Sequence, residues 1–287
     1  MSEELSVPSE IRLKPRSIDI SSYVKQFKPL IGGLYNWSQG IPLVLVFFAI
    51  WKLLPRLGII NQLFLPTFST TLKTLIDLTL SGQLLLHSLI SLQRAAAGFG
   101  LALLTAVPFG FLMGHYRQFE RYTDLLVQGL RNVSTFALLP IFLLLLGLGE
   151  SSKIAIIFYA ASWQILMNTI SGVKSVDPIY IKAARSMGVS DFELFTKVIL
   201  PASIPSIVIG ARLGAKIALM VVIAAEMIGA KSGLGFFIQN AEFNFLVPEM
   251  YAGILALALV GLAVNYLLVW VEKKTTSWKR DINSAIQ

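Results

Sequence analysis

The chain has 287 residues, 55% hydrophobic and 14% charged, with a mean hydropathy of +0.71 and a formal net charge of +8. A soluble domain carries about 25% charged residues, so an ordinary cytosolic enzyme is excluded, and the absence of cysteine excludes a disulfide-stapled secreted scaffold. Long uncharged apolar runs make the bilayer the solvent and assign the surplus Lys and Arg to membrane orientation rather than to nucleic acid.

Residues 1–36 read as a polar tail. A helix needs roughly 20 mostly apolar residues to cross about 30 Å of hydrocarbon. Six stretches qualify, at 37–54, 95–115, 125–148, 154–170, 207–228 and 250–271, followed by a second polar tail, 272–287. The fold class is therefore an all-α integral membrane protein with a transmembrane body at 37–271. The first span is expected to be retained, because a polar tail precedes it and no small-residue cleavage site follows. Fifteen Lys and Arg fall on the tails and on the loops after spans 2 and 4, against five on the opposite loops. That bias predicts cytoplasmic N and C termini, and basic loops on that side also suit anionic headgroups.

Span 2 carries small residues four apart at Gly98, Ala102, Ala106, Gly110 and Gly114, and span 5 repeats the pattern at Gly210, Gly214 and Ala218. Such series let backbones approach closely, either inside one chain or at a dimer seam. Trp37, Trp51, Trp163 and Trp270 read as interfacial anchors.

The connection 171–205 is far longer than a simple turn. Asp177 before Pro178 is an N-cap with proline at the first helical position. One helix then runs to Ser186, and Gly188 supplies a left-handed turn. Ser190 and Glu193 form a capping box for a second helix, which Pro201 is expected to stop. The adjacent Ala183 and Ala184 offer a small-residue knob to a cytoplasmic partner; the competing reading is a helix lying on the membrane surface.

Ionisable groups inside spans are costly and therefore candidates for function. Arg212 and Lys216 lie four apart on span 5, either lending positive potential to an anion pathway or snorkelling and pairing with carboxylates. Glu226, farther out, would repel an anion and is read as a structural or gating contact, with Arg94 as a candidate ion-pair partner. Asn132, Gln164 and Asn168 supply uncharged hydrogen-bonding groups, for lining a pathway or for joining helices. No G-x-x-x-x-G-K-[ST] is present, the nearest run being Gly229-Ala230-Lys231-Ser232. With two distant histidines, His87 and His115, and no cysteine, a multi-histidine or thiolate metal site is not built. No catalytic residue and no cofactor is therefore assigned to this chain.

The run Lys182-Ala183-Ala184, then Gly188, then Val198-Ile199-Leu200-Pro201 resembles the cytoplasmic signature loop of bacterial ABC importer permeases. Lys182 stands where that family has an acid, and Val198 where it has isoleucine. Ser91-Leu92-Gln93-Arg94, Leu139-Pro140, Gly147 to Lys153, and Ala224 to Ile228 with Gly233-Leu234-Gly235 resemble the nitrate, sulfonate, taurine and bicarbonate branch. The resemblance implies a type I importer fold of six transmembrane helices and a pathway for a small oxyanion. It also implies two permease copies, two separate ATPase subunits that hold ATP and Mg, and an extracytoplasmic substrate-binding protein. Lys182, Ala183, Ala184, Gly188, Val198, Leu200 and Pro201 would then form the ATPase-coupling segment. The rival reading is an ATP-independent channel or secondary carrier; an export permease fits less well, since exporters commonly fuse an ATPase.

Overall fold

The computed structural model describes residues 45–58 and 60–276, with Pro42, and its regular elements are helices. Residues 45–56 form α1, in which the Phe48 and Trp51 rings stack with centroids 6.4 Å apart. The expected first span began at Trp37, so its start, like the tail 1–36 and residues 277–287, lies outside the described residues. The rest is α2 (Phe68–Leu80), α3 (Gln83–His115), α4 (Arg117–Arg131), α5 (Thr135–Leu146), α6 (Glu150–Lys174), α7 (Pro178–Ser186), α8 (Asp191–Leu194), α9 (Leu200–Met227), α10 (Leu234–Phe243) and α11 (Val247–Thr275). Among the described residues, four stretches are long and apolar enough to cross a membrane: Gln83–His115, Glu150–Lys174, Asp191–Met227 and Val247–Thr275. The pair α4 and α5 makes a fifth if counted together.

Within residues 61–276, helix α6 is central, packed along α3 on one side and α9 on the other. Small residues make that approach possible. A Cβ on Gly98, Gly110 or Gly114 of α3 would lie 2.6–2.7 Å from Ile157, Thr169 or Val173 of α6. On the other side, Gly210 and Gly214 of α9 meet Asn168 and Ile165 in the same way. The four-residue spacing is thus taken up by packing inside one chain, rather than at a dimer seam. Apolar side chains from all three helices, including Ile157, Ile165 and Val222, fill the seam. Helix α11 packs on α2, α9 and α10, and α5 leans on α6.

Three expectations are corrected. The stretch Leu125–Leu148 is not one continuous helix, because α4 and α5 meet at 95° across residues 132–134. Asn132 turns its amide back onto the Gln128 carbonyl at 2.7 Å, competing with the helix ladder, and Ser134 is already extended (φ −60°, ψ 123°). Tyr159 of α6 donates its hydroxyl to the Leu130 carbonyl at 2.6 Å, satisfying one of the acceptors that the ending helix leaves open. Pro201 does not stop a helix. A π-helical turn, Phe195–Ile199, carries α8 directly into α9, with the Leu200 N–H bonding the Phe195 carbonyl, and Pro201 sits in the first turn of α9. The wider turn absorbs the missing N–H and the ring of Pro201, where a regular helix would break. The loop bounds move accordingly, since 171–174 belongs to α6 and 200–205 to α9. Trp163 lies in mid-α6 with its ring edge-on to Tyr159 at 5.3 Å, so it is a packing residue and not an interfacial anchor.

Candidate functional site

The packed helices α3, α6 and α9 carry a candidate site at each end, about 30 Å apart over the 21 residues from Arg94 to His115. At one end stands the α7–α8 segment. Asp177 Oδ1 accepts the Ile179 N–H at 2.8 Å and Pro178 occupies the first turn, which starts α7 as its sequence dictates. Gly188, at φ 73°, ends it. Its N–H bonds the Arg185 carbonyl at 3.0 Å while the Val189 N–H bonds the Ala184 carbonyl at 3.3 Å, a Schellman pair. Ser190 and Glu193 close the expected capping box, and Lys197 bonds Glu193 at 2.8 Å.

The two alanines face opposite ways. Ala184 is buried with Phe111, Val173, Val176, Leu194 and Ile199, anchoring α7 on the ends of α3, α6 and the π turn. Ala183 is exposed, as are Lys182, Ile179 and Tyr180. Val198 and Leu200 are half-buried against the same cluster, and Pro201 is exposed. Hence α7 presents Ala183 outward among Ile179, Tyr180 and Lys182, while its inner side is fastened to the ends of α3, α6 and the π turn.

At the other end, the strings that are far apart in sequence converge on Arg94. Its guanidinium spans two carboxylates and a turn. Nε and Nη2 donate to Glu150 at 2.5 and 2.7 Å, Nη1 to Glu226 Oε1 at 2.8 Å and to the Ser232 carbonyl at 2.6 Å. Glu226, fully buried, also accepts from Ser91 Oγ at 2.8 Å and from the Gly235 N–H at 2.9 Å. Ser91 Oγ in turn accepts the Leu234 N–H at 2.8 Å, and His87 Nδ1 the Gly233 N–H at 3.0 Å. A buried charge is tolerated only with this degree of satisfaction. The glycines are obligatory: a Cβ on Gly233 would lie 2.2 Å from the Glu226 carboxylate, and one on Gly235 2.2 Å from the Ile223 carbonyl. Lys153, also buried, donates to the Leu148 and Gly149 carbonyls at 3.0 Å and holds the neighbouring turn.

The expected pairing of Arg94 with Glu226 is present; Glu150, Ser91 and Lys153 were not assigned a role from sequence. Glu150 and Lys153 lie in a polar string at the start of α6, which reads as a turn until its partner 56 residues away is known. The five candidate pathway residues are not brought together. Arg212 bonds Glu272 of α11 at 2.5 Å, and Asn168 donates to the Gln164 carbonyl within α6 at 2.8 Å. Asn132 lies at the α4–α5 break. Lys216 is exposed on α9 in line with Ile209, Leu213 and Met220, a cation on an otherwise apolar face, with no hydrogen-bond partner among the described residues.

Comparisons with known proteins fit this geometry. Residues 106–277 match the family model described as the binding-protein-dependent transport system inner membrane component. The putative aliphatic sulfonates transport permease protein SsuC of Bacillus subtilis is 36% identical, over 85% of this chain and 89% of its own length. The taurine transport system permease protein TauC of Escherichia coli is 31% identical over 83% and 88%, and the bicarbonate transport system permease protein CmpB of Synechococcus elongatus 32% over 65% and 68%. Among solved structures, a chain of the inward-facing MetNI methionine ABC transporter superposes with a TM-score of 0.58 at 17% identity, covering 65% of this chain and 93% of that one, a likeness of fold.

The chain therefore belongs to the binding-protein-dependent transport system inner membrane component family, where its relatives include permeases named for sulfonates, taurine and bicarbonate. It is a membrane subunit of an ABC transport system, a multi-pass plasma-membrane protein without enzymatic activity of its own. A separate ATPase and a substrate-binding protein are its partners.

Proposed function

We propose that this permease conducts a small oxyanion, a sulfonate, taurine or bicarbonate, into the cytoplasm and that α7 couples it to the ATPase. Two copies stand with two ATPase subunits, which hold ATP and Mg, and an external binding protein delivers the solute. Each copy crosses the membrane six times with both termini in the cytoplasm, so α7 lies on the cytoplasmic side and the Arg94 cluster on the outer side. Lys182, Ala183 and Tyr180 meet the ATPase, while Gly188 and the π turn through Val198, Leu200 and Pro201 carry the movement of α7 into α9. The observation that carries this reading is the split environment of the alanine pair: Ala183 outward on a charged surface, Ala184 locked into α3, α6 and α9. A lever needs a free face and a fixed one, and differential contact with two ATPase states then shifts the permease between its own two states.

Lys216 lies about 15 Å along α9 from Glu226 and supplies positive potential to the pathway; Arg212, paired with Glu272, fixes α9 to α11. Gln164 and Asn168 contribute to the junction of α6 with α9. Arg94 and Glu226 hold the outer end closed around the 228–235 turn. A mild-detergent pull-down of the full chain from its native membrane, with mass spectrometry and a count of copies, tests the assembly. Two ATPase and two permease copies support it, and repeated crosslinked pull-downs without an ATPase would favour the channel or carrier.

A further inference from the structure

Near the α7 end of the molecule, a cleft of about 830 Å³ opens between the ends of α3 and α6, the start of α4, and α7. Arg117, Arg121, Lys174 and Arg185 line it, against a single carboxylate, Glu120, which is already paired with Lys174. Around the end of α3, a second groove of about 710 Å³ is mostly apolar, formed by Val107, Phe111, Leu112, Phe192 and Phe195, with Asp191 also on its lining, 3.9 Å from Arg185. His115 lines both. Phe192 is 76% exposed in that groove although it lies within the Ser190–Glu193 capping box, which fixes its backbone.

A cationic cleft and an apolar groove that meet at one residue, at the end of membrane helices, match a ligand with an anionic head and a hydrocarbon tail. We infer that this is a binding site for an anionic phospholipid, the phosphate in the Arg117, Arg121 and Arg185 cleft and an acyl chain along Phe111, Leu112 and Phe192. Arg117 and Arg121 have no ion-pair partner among the described residues, so their charge is available to a phosphate. The groove is what separates this ligand from a free phosphate or sulfate, which would use the cleft alone. Because Arg185 belongs to α7 and Phe195 to the π turn, an occupied site would brace the segment that we assign to coupling. The inference rests on that assignment only for its consequence, not for the binding.

The test is native mass spectrometry of the purified full chain with dioleoyl phosphatidylglycerol against dioleoyl phosphatidylcholine. The expected result is retained phosphatidylglycerol in preference to phosphatidylcholine. Each headgroup-facing cation contributes about fivefold to binding, so Arg117→Gln with Arg121→Gln should reduce that retention roughly tenfold or more. Removing two tail charges, by Lys279→Gln with Arg280→Gln, should not. If the first double variant does not purify, Arg121→Gln alone carries the comparison, with about a fivefold loss expected. Phe192→Ser should lower phosphatidylglycerol retention as well. Equal retention of the two lipids, or undiminished phosphatidylglycerol on the neutralised cleft, overturns the site. Displacement by inorganic phosphate combined with no effect of Phe192→Ser makes it a small-anion site and overturns the lipid. The readout needs neither ATPase nor orientation, so failure here leaves the coupling assignment standing, and failure of coupling leaves the binding result intact.

Discussion

Arg94 and Glu226 stand 132 residues apart in sequence and 2.8 Å apart in space, both almost wholly buried. The same guanidinium holds Glu150, so α3, α6 and α9 are tied at one end by a single side chain. Removing it strands a buried carboxylate.

Arg94→Ala should therefore destabilise the permease by about 3–5 kcal/mol, the usual cost of breaking a buried pair. Glu226→Gln, which keeps the shape and its bonds from Ser91 and Gly235, should cost less than Arg94→Ala. Thermal unfolding of the purified variants in detergent checks the order, which is the substance of the prediction.

Glycine substitutions separate close approach from open space. Gly233→Ala places a methyl group on the Glu226 carboxylate at a backbone angle of φ 110° and should abolish the folded, transport-competent protein. Gly100→Ala, with nothing within 4 Å, should be neutral or stabilising by up to about 1 kcal/mol. Comparing the amount of each variant that survives size-exclusion chromatography after mild heating distinguishes them.

How much of this was legible in the sequence depends on whether the determinant was local. The caps of α7 and α8 were legible, because Asp177-Pro178, Gly188 and Ser190-Glu193 each act within one turn. The Arg94–Glu226 pair was legible only as a suspicion, from the rule that a lone charge in a span needs a partner. Glu150 was not, since nothing at the start of α6 announces a partner on α3. The break at residues 132–134 was hidden because an apolar run is averaged over many residues, whereas the bend falls on three residues whose backbone leaves the helix at Ser134. Pro201 misled for a similar reason: proline ends a regular helix, but the π turn before it removes the conflict, and no residue pattern on its own marks that turn.

Gly188→Val should leave the chain in the membrane and stop transport. No atom lies within 4 Å of a Cβ at this position, so the effect comes from the φ of 73° alone. A β-branched residue resists that conformation, by roughly 1–3 kcal/mol, and would tilt α8 relative to α7. Gly188→Asn, which tolerates the left-handed region, should retain most transport. ATP hydrolysis stimulated by the loaded binding protein, measured on reconstituted complexes, should be lost with valine and kept with asparagine.

Lys216→Ala should lower anion uptake, and Lys216→Arg should restore most of it, because the charge acts through its potential on the apolar face of α9. Initial uptake rates over a range of solute concentrations check this; unchanged affinity and rate in the alanine variant would remove Lys216 from the pathway.

The central claim is that the outward face of α7 meets an ATPase. The chain has no cysteine, so Ala183→Cys introduces a unique thiol on that exposed face. Crosslinking this variant in native membranes, followed by mass spectrometry of the adduct, should join it to an ATPase subunit, with the yield changing between nucleotide-free and ATP-bound conditions. An adduct only with lipid, or none with any ATPase under either condition, would contradict the coupling role of α7.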